Sequence, residues 1–151
     1  MPQVLDNTSL AHLVTRINKL QTGATPKWGK MTVEEMLTHC STAVSMGLGD
    51  VPGSVKFGKA KAALARLLFI DLFPFPKGSP TAPELNPDKG LRKPEAFARE
   101  RDQLISQLHR MNDAPQDHVF TEHPIFRKMG RKRWGQLICK HVDHHLRQFG
   151  V

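Results

Sequence analysis

Apolar residues recur every three or four positions over four long stretches of the chain, the spacing of one helix face, and do not form the alternating runs of strands. The first stretch runs from about Ser9 to Gln21, with Leu10, Leu13, Val14, Ile17 and Leu20 on one side and Asn7 and Thr8 as candidate caps. Gly23 and Pro26 end it. The second starts at "TVEE", where Thr32 and Glu35 have the spacing of a capping box, and should stop near Gly47 or Gly49. A shorter helix is expected around Lys59 to Leu72. After it comes "PFPKGSPTAPELNPDKGLRKP", whose prolines cannot continue helical hydrogen bonding.

A third long helix is predicted from Pro94, a favourable first-turn residue, with Phe97, Leu104, Ile105, Leu108 and Met111 as its apolar stripe. The last occupies roughly Lys132 to Phe149. Four long amphipathic helices, one short helix and a lengthy connection predict an all-α chain. Its expected architecture is a four-helix bundle in which a long Pro-rich crossover joins the second and third long helices. With 151 residues and no internal repeat, residues 1–151 are expected to form a single domain.

Composition narrows the function classes. Hydrophobic residues at 39% and charged residues at 24% are ordinary globular usage, which argues against disorder. No apolar run reaches the ~18 residues of a membrane span; the nearest, "AALARLLFIDLF", is broken by Arg66 and Asp71. The opening "MPQVLDNTSLAHLV" lacks the basic flank and apolar centre of a signal peptide. Two cysteines, Cys40 and Cys139, are too few for a disulfide framework. A soluble, cytoplasmic protein without a membrane partner is expected. The net charge of +8 favours anionic partners, but no nucleic-acid motif accompanies it, so nucleic acid ranks last among partners.

The chemistry concentrates in "KHVDHHLRQFGV", where three of the eight histidines fall within five positions. At 100° per residue, Trp134, Leu137, Ile138, His141, His145, Gln148 and Phe149 share one side of the last helix, while Lys140, Asp143 and Arg147 fall opposite. His141 and His145, four residues apart, can grip one ion. Two imidazoles on an apolar face are satisfied by a shared cation or by hydrogen bonds in the core. His39, beside Met36, Ala43 and Met46 at the margin of the second helix's apolar stripe, is the candidate third ligand. Such a site would leave coordination positions open for a water, thiol or substrate atom. Zinc or nickel suits imidazole donors, with iron, copper and manganese also compatible.

With these residues in place, the chain resembles the DinB/YfiT-like superfamily, four-helix proteins with a histidine on the second long helix and a terminal "HxxxHxxQ", here His141, His145 and Gln148. The likeness is closest to a branch known as a domain of unknown function, through "WGKMTVEEMLTHC", "HPIF" and "WGQLICKHVDHHLRQFG". The resemblance implies a metal-binding bundle, often dimeric, with some relatives acting as transferases or isomerases that use a low-molecular-weight thiol. One position and one run depart from the pattern. Val142 stands where many relatives carry an acidic residue, so any carboxylate supporting the ligands must come from elsewhere. "RKMGRKRW" is basic where the branch is more acidic, which changes the substrate charge to be expected.

The other residues have plainer readings beside functional ones. Gln148 can orient water or substrate, or fill a polar gap. His144, at the edge of the stripe, can touch a pocket or meet water. His123 in "EHPIF" can serve as a proton carrier at the pocket mouth, though a structural loop histidine is the simpler assignment. Trp134 and Trp28 are packing residues by default and pocket walls otherwise. Cys40 and Cys139 turn away from the metal face and read as inert thiols. The run Arg127 to Arg133 reads as a solvated surface, an attractor of anionic substrate or a phosphate contact. There is no serine triad, phosphate loop or paired carboxylate. The expected function is a metal-dependent enzyme acting on a small molecule by thiol-dependent transfer, isomerisation or hydrolysis. The alternative is a noncatalytic metal- or ligand-binding bundle, kept open by the lack of an evident general base.

Overall fold

The computed structural model describes residues 5–79 and 81–151. Met1–Val4, the first part of the stretch read for a signal peptide, and Pro80 within the crossover lie outside them. The described residues form five helices and no strand: α1 (Asn7–Ile17), α2 (Val33–Leu48), α3 (Lys59–Arg66), α4 (Phe97–Asn112) and α5 (Arg131–Gln148). A π-helical turn, Leu67–Leu72, prolongs α3, and a 3-10 turn, Pro83–Leu85, interrupts the Pro-rich connection. None of these helices is long and apolar enough to cross a membrane.

The helix starts follow local chemistry. Thr32 and Glu35 form the expected capping box, Glu35 N–H donating to Thr32 Oγ1 (3.1 Å) and Thr32 N–H to Glu35 Oε2 (2.9 Å). Gly49, in the left-handed region, ends α2. At α1 the cap is Asp6, not Asn7 or Thr8: its carboxylate accepts from Ser9 N–H at 2.9 Å and from the Ser9 hydroxyl, so the helix begins two residues earlier than the apolar stripe suggests. That helix also ends at Ile17 rather than Gln21, although Leu20 stays buried through a tight turn closed by Leu20 N–H on Ile17 O.

Further along, α4 starts at Phe97 and not at Pro94, because the buried Glu100 carboxylate draws the preceding chain onto itself. It accepts from Glu95 N–H and, at 2.8 Å twice, from the Arg92 guanidinium. Burial pushes this carboxyl up, but chiefly the hydrogen bonds from Arg92 and Glu95 outweigh it and hold Glu100 below its ordinary value.

In the packing, α2 lies against both α4 and α5, and α1 lies against the same two helices. One apolar cluster takes residues from all five helices, including Leu13, Leu37, Ala65, Leu104 and Leu146. Nearly the whole of α2 is enclosed. Thr38, Ser41 and Ser45 are buried although polar, and each hydroxyl donates to a carbonyl three or four residues back. A second, small cluster joins Ala43 and Met46 of α2 to Ala82 and Leu85 of the 3-10 turn. That patch fixes the crossover beside His39.

Lys140 and Asp143, on the side of α5 opposite the histidine stripe, are both engaged. Lys140 Nζ donates to the carbonyls of Phe69, Ile70 and Phe73, closing the π-helical turn, and Asp143 pairs with Arg16 of α1 at 2.6 Å.

Candidate metal centre

α2 and α5 bring His39, His141 and His145 together, with one ring nitrogen from each lying within 4.8 Å of the others. Neighbouring ring centroids stand 4.7 to 4.8 Å apart. Such a group could hold a metal ion. The shortest separation, His39 Nε2 to His141 Nε2, is 2.9 Å. Two ligands at ~2.1 Å from one ion and about 90–109° apart would be separated by roughly 3.0–3.4 Å, so the His39–His141 pair is spaced close to that of a shared cation, while the group as a whole spans up to 4.8 Å and would draw in around an ion.

The remaining ring nitrogens determine where the lone pairs sit. His39 Nδ1–H donates to the Leu85 carbonyl at 2.7 Å, which turns Nε2 toward the cluster. His145 Nδ1–H donates to Gln148 Oε1 at 2.7 Å, and Gln148 Nε2–H donates in turn to the Trp28 carbonyl at 2.8 Å. The backbone therefore orients Gln148, Gln148 orients His145, and two of the three imidazoles present Nε2 as a bare donor to an ion.

Gln148 thus acts as a brace behind His145. The support that a carboxylate at position 142 would give comes here from a backbone carbonyl and an amide; Val142 itself is buried in the core.

Gly29 belongs to the same arrangement. Its φ of 78° suits glycine, and a Cβ there would come within 2.8 Å of Gln148 Nε2.

Burial keeps the three imidazoles uncharged. It is the main force lowering His39, His141 and His145, and repulsion from neighbouring histidines adds to it, from His144 alone in the case of His39, whose bond to the Leu85 carbonyl acts the other way; His141 falls well below 6.5 and His145 to about 3. Neutral imidazole is the ligating form.

A cavity of about 400 Å³ opens onto the cluster, its walls mainly apolar, with Met46, Phe57, Phe69, Phe75, Phe126 and Ile138 among them. No carboxylate lines it among the described residues.

The other expected site residues fall around this cavity. His144 is half-buried, its ring 5.2 Å from His145 and 5.5 Å from Trp28, but it stands outside the three-nitrogen group. Trp134 is buried on the cavity wall. His123 also lines the cavity, and its Nδ1 accepts from Ile125 N–H (3.0 Å) and Phe126 N–H (3.2 Å), so it has a structural duty in its turn. Burial lowers it to about 4. Cys40 is buried against Met36 and Cys139 is pushed up to about 11, chiefly by burial, so neither is poised as a thiolate.

The basic run is less free than a solvated face would be. Arg131 donates to the Ala114 and Pro115 carbonyls, Arg133 pairs with Asp71 at 3.1 Å, and Arg127 reaches the Phe57 carbonyl; Lys128 and Lys132 are exposed.

A family model described as a protein of unknown function (DUF1569) matches residues 1–150. The chain belongs to the DUF1569 family. No curated protein and no solved structure matches it significantly. Within this DUF1569 chain, sequence reasoning missed the Leu85 and Trp28 carbonyls. Leu85 lies in a segment read as a plain connection, where Pro83 at the start of a turn was the only local signal.

Proposed function

We propose that this protein is a metal-dependent enzyme of the DinB-like kind, acting on a small molecule at an ion held by His39, His141 and His145. The observation that carries the reading is the pair of outward braces, Leu85 O on His39 and Gln148 on His145, which leave the Nε2 lone pair of each ring available within a group of three nitrogens no more than 4.8 Å apart. In the metal-free chain the Leu85 brace also lets His39 Nε2 accept a hydrogen bond from His141 Nε2–H at 2.9 Å, so the brace on His145, which that pairing does not need, is the more telling of the two. The arrangement of α1 and α2 between α4 and α5 supports a four-helix bundle, in which facing helices supply inward ligands.

A bound divalent ion, zinc or nickel by donor type, would supply Lewis acidity at the cavity floor. The chain's own residues hold that ion, keep its ligands neutral and enclose the substrate in an apolar chamber. The absence of a carboxylate from the cavity wall favours chemistry that needs no strong side-chain base, such as transfer or isomerisation through a low-molecular-weight thiol, over water-driven hydrolysis. The same reading places the protein in a reducing cytoplasm, where Cys40 and Cys139 remain free. A homodimer would cover the exposed Leu64, Leu67, Leu72 and Phe73.

Untagged protein dialysed against zinc or nickel should retain close to one ion per chain. The His141→Ala/His145→Ala double variant should retain almost none. The loaded form, and not the stripped form, should then accelerate reaction of a small thiol with an electrophile panel. Full retention by the double variant would remove the site, whereas metal binding without turnover would make the protein a binding module.

A further inference from the structure

Two N–H-bearing rings that line the cavity, those of Trp134 and His123, stand outside the three-nitrogen group. The Trp134 indole is 1% exposed, and its Nε1 has no hydrogen-bond partner among the described residues, a costly state for a donor removed from water. Its Cε3–Cζ3 edge is turned to Gly47, where a Cβ would come within 2.8 Å, and Nε1 lies on the other edge of the ring.

His123 packs against the same indole with ring centroids 5.6 Å apart. Because His123 Nδ1 accepts two backbone N–H groups, its proton sits on Nε2. Trp134 precedes His141 by seven residues on one face of α5, two turns and roughly 10 Å along the axis. Leu137 and Ile138 line the cavity between them. The chamber therefore has three ring nitrogens at one end, apolar walls in the middle and uncharged donors at the other end.

We propose that Trp134 Nε1–H, assisted by His123 Nε2–H, receives a neutral carbonyl oxygen at the far end of an elongated, otherwise apolar substrate. Only the assignment of the near end to a metal rests on the function proposed above. An uncharged acceptor is favoured because neither donor carries charge, His123 being kept neutral by burial. Arg127, in the same turn, directs its guanidinium to the Phe57 carbonyl and to Glu122, and Arg66 donates to the Phe126 carbonyl, so both nearby guanidiniums are already engaged by the protein and a carboxylate at this end would have to draw one away.

Metal-free protein labelled with [15N]tryptophan gives indole N–H resonances from Trp28 and Trp134, assigned with Trp28→Phe. Titration with 2-heptanone is compared with 2-methyl-1-heptene, which replaces the carbonyl oxygen by a methylene. The Trp134 indole proton should move downfield with the ketone and not with the alkene. The ketone-over-alkene preference should fall about tenfold in Trp134→Phe; should that variant not fold, the wild-type shift decides alone. Hexanoate should bind at least about tenfold more weakly than the ketone.

An indole resonance that ignores bound ketone, a preference for hexanoate, or failure of both neutral probes to bind would overturn the proposal. Since no ion is present, these outcomes are independent of whether the histidines bind metal.

Discussion

Gln148 is held from both sides, by the Trp28 carbonyl and by His145, and its removal should be felt at the ion. Gln148→Leu should lower metal affinity about 10- to 100-fold without unfolding the chain, as read by competition with a calibrated chelator. Gly29→Ala should act in the same direction through the contact it forces on Gln148 Nε2 and the strain at φ 78°. His123 gives a pH signature to the metal-free protein. Its value of about 4 lies below the 6.5 of an unfolded histidine, so the unfolded chain takes up the proton first on acidification. Stability is then fully present above about pH 6.5 and declines toward pH 4, a slope that should be shallower in His123→Asn when urea midpoints are compared across pH. At this scale the sequence showed which histidines share a face, because four-residue spacing is a property of the helix itself. It could not show what oriented them: Leu85 and Trp28 contribute only backbone carbonyls, which leave no mark in side-chain pattern.

At the scale of elements, α2 and α5 are locked by the close approach of Trp134 to Gly47. Gly47→Ala should destabilise the fold by about 1–3 kcal/mol through overpacking, despite alanine's better helix propensity, and a denaturant curve would register it. The two glycines offered as stops for α2 therefore differ in kind, Gly49 ending the helix and Gly47 seating a ring within it. The capping box of α2 was legible because Thr32 and Glu35 act within one turn. The cap of α1 was less so, since Asp6, Asn7 and Thr8 are all competent caps and only the backbone geometry selects Asp6. The burial of Thr38, Ser41 and Ser45 was hidden because hydroxyls that bond back to their own helix behave as core residues. The Pro-rich connection was recognised as a break, but its 3-10 turn depends on Leu85 packing on Ala43 and Met46, a long-range contact that local reading does not reach.

For the whole molecule, the helical class and the face carrying the histidines followed from periodicity, while the order in which helices touch depends on long-range packing. Acid should weaken the native state beyond the histidine region as well. Glu100 is held below its ordinary 4.5, so the stability it contributes is present above that value and is lost as pH falls through its native one; Glu100→Gln should flatten this lower part of the profile. Loading with metal should raise stability by about 2.7 kcal/mol at a hundredfold excess over Kd, and by nearly nothing in the His141→Ala/His145→Ala variant. The central claim, that three imidazoles from two helices meet at one ion, is tested most directly by zinc K-edge X-ray absorption on the zinc-loaded chain. The account predicts about three imidazole nitrogens at ~2.0–2.1 Å, with that number falling in His39→Ala. An oxygen-dominated shell, or a spectrum unchanged by loss of His39, would contradict it.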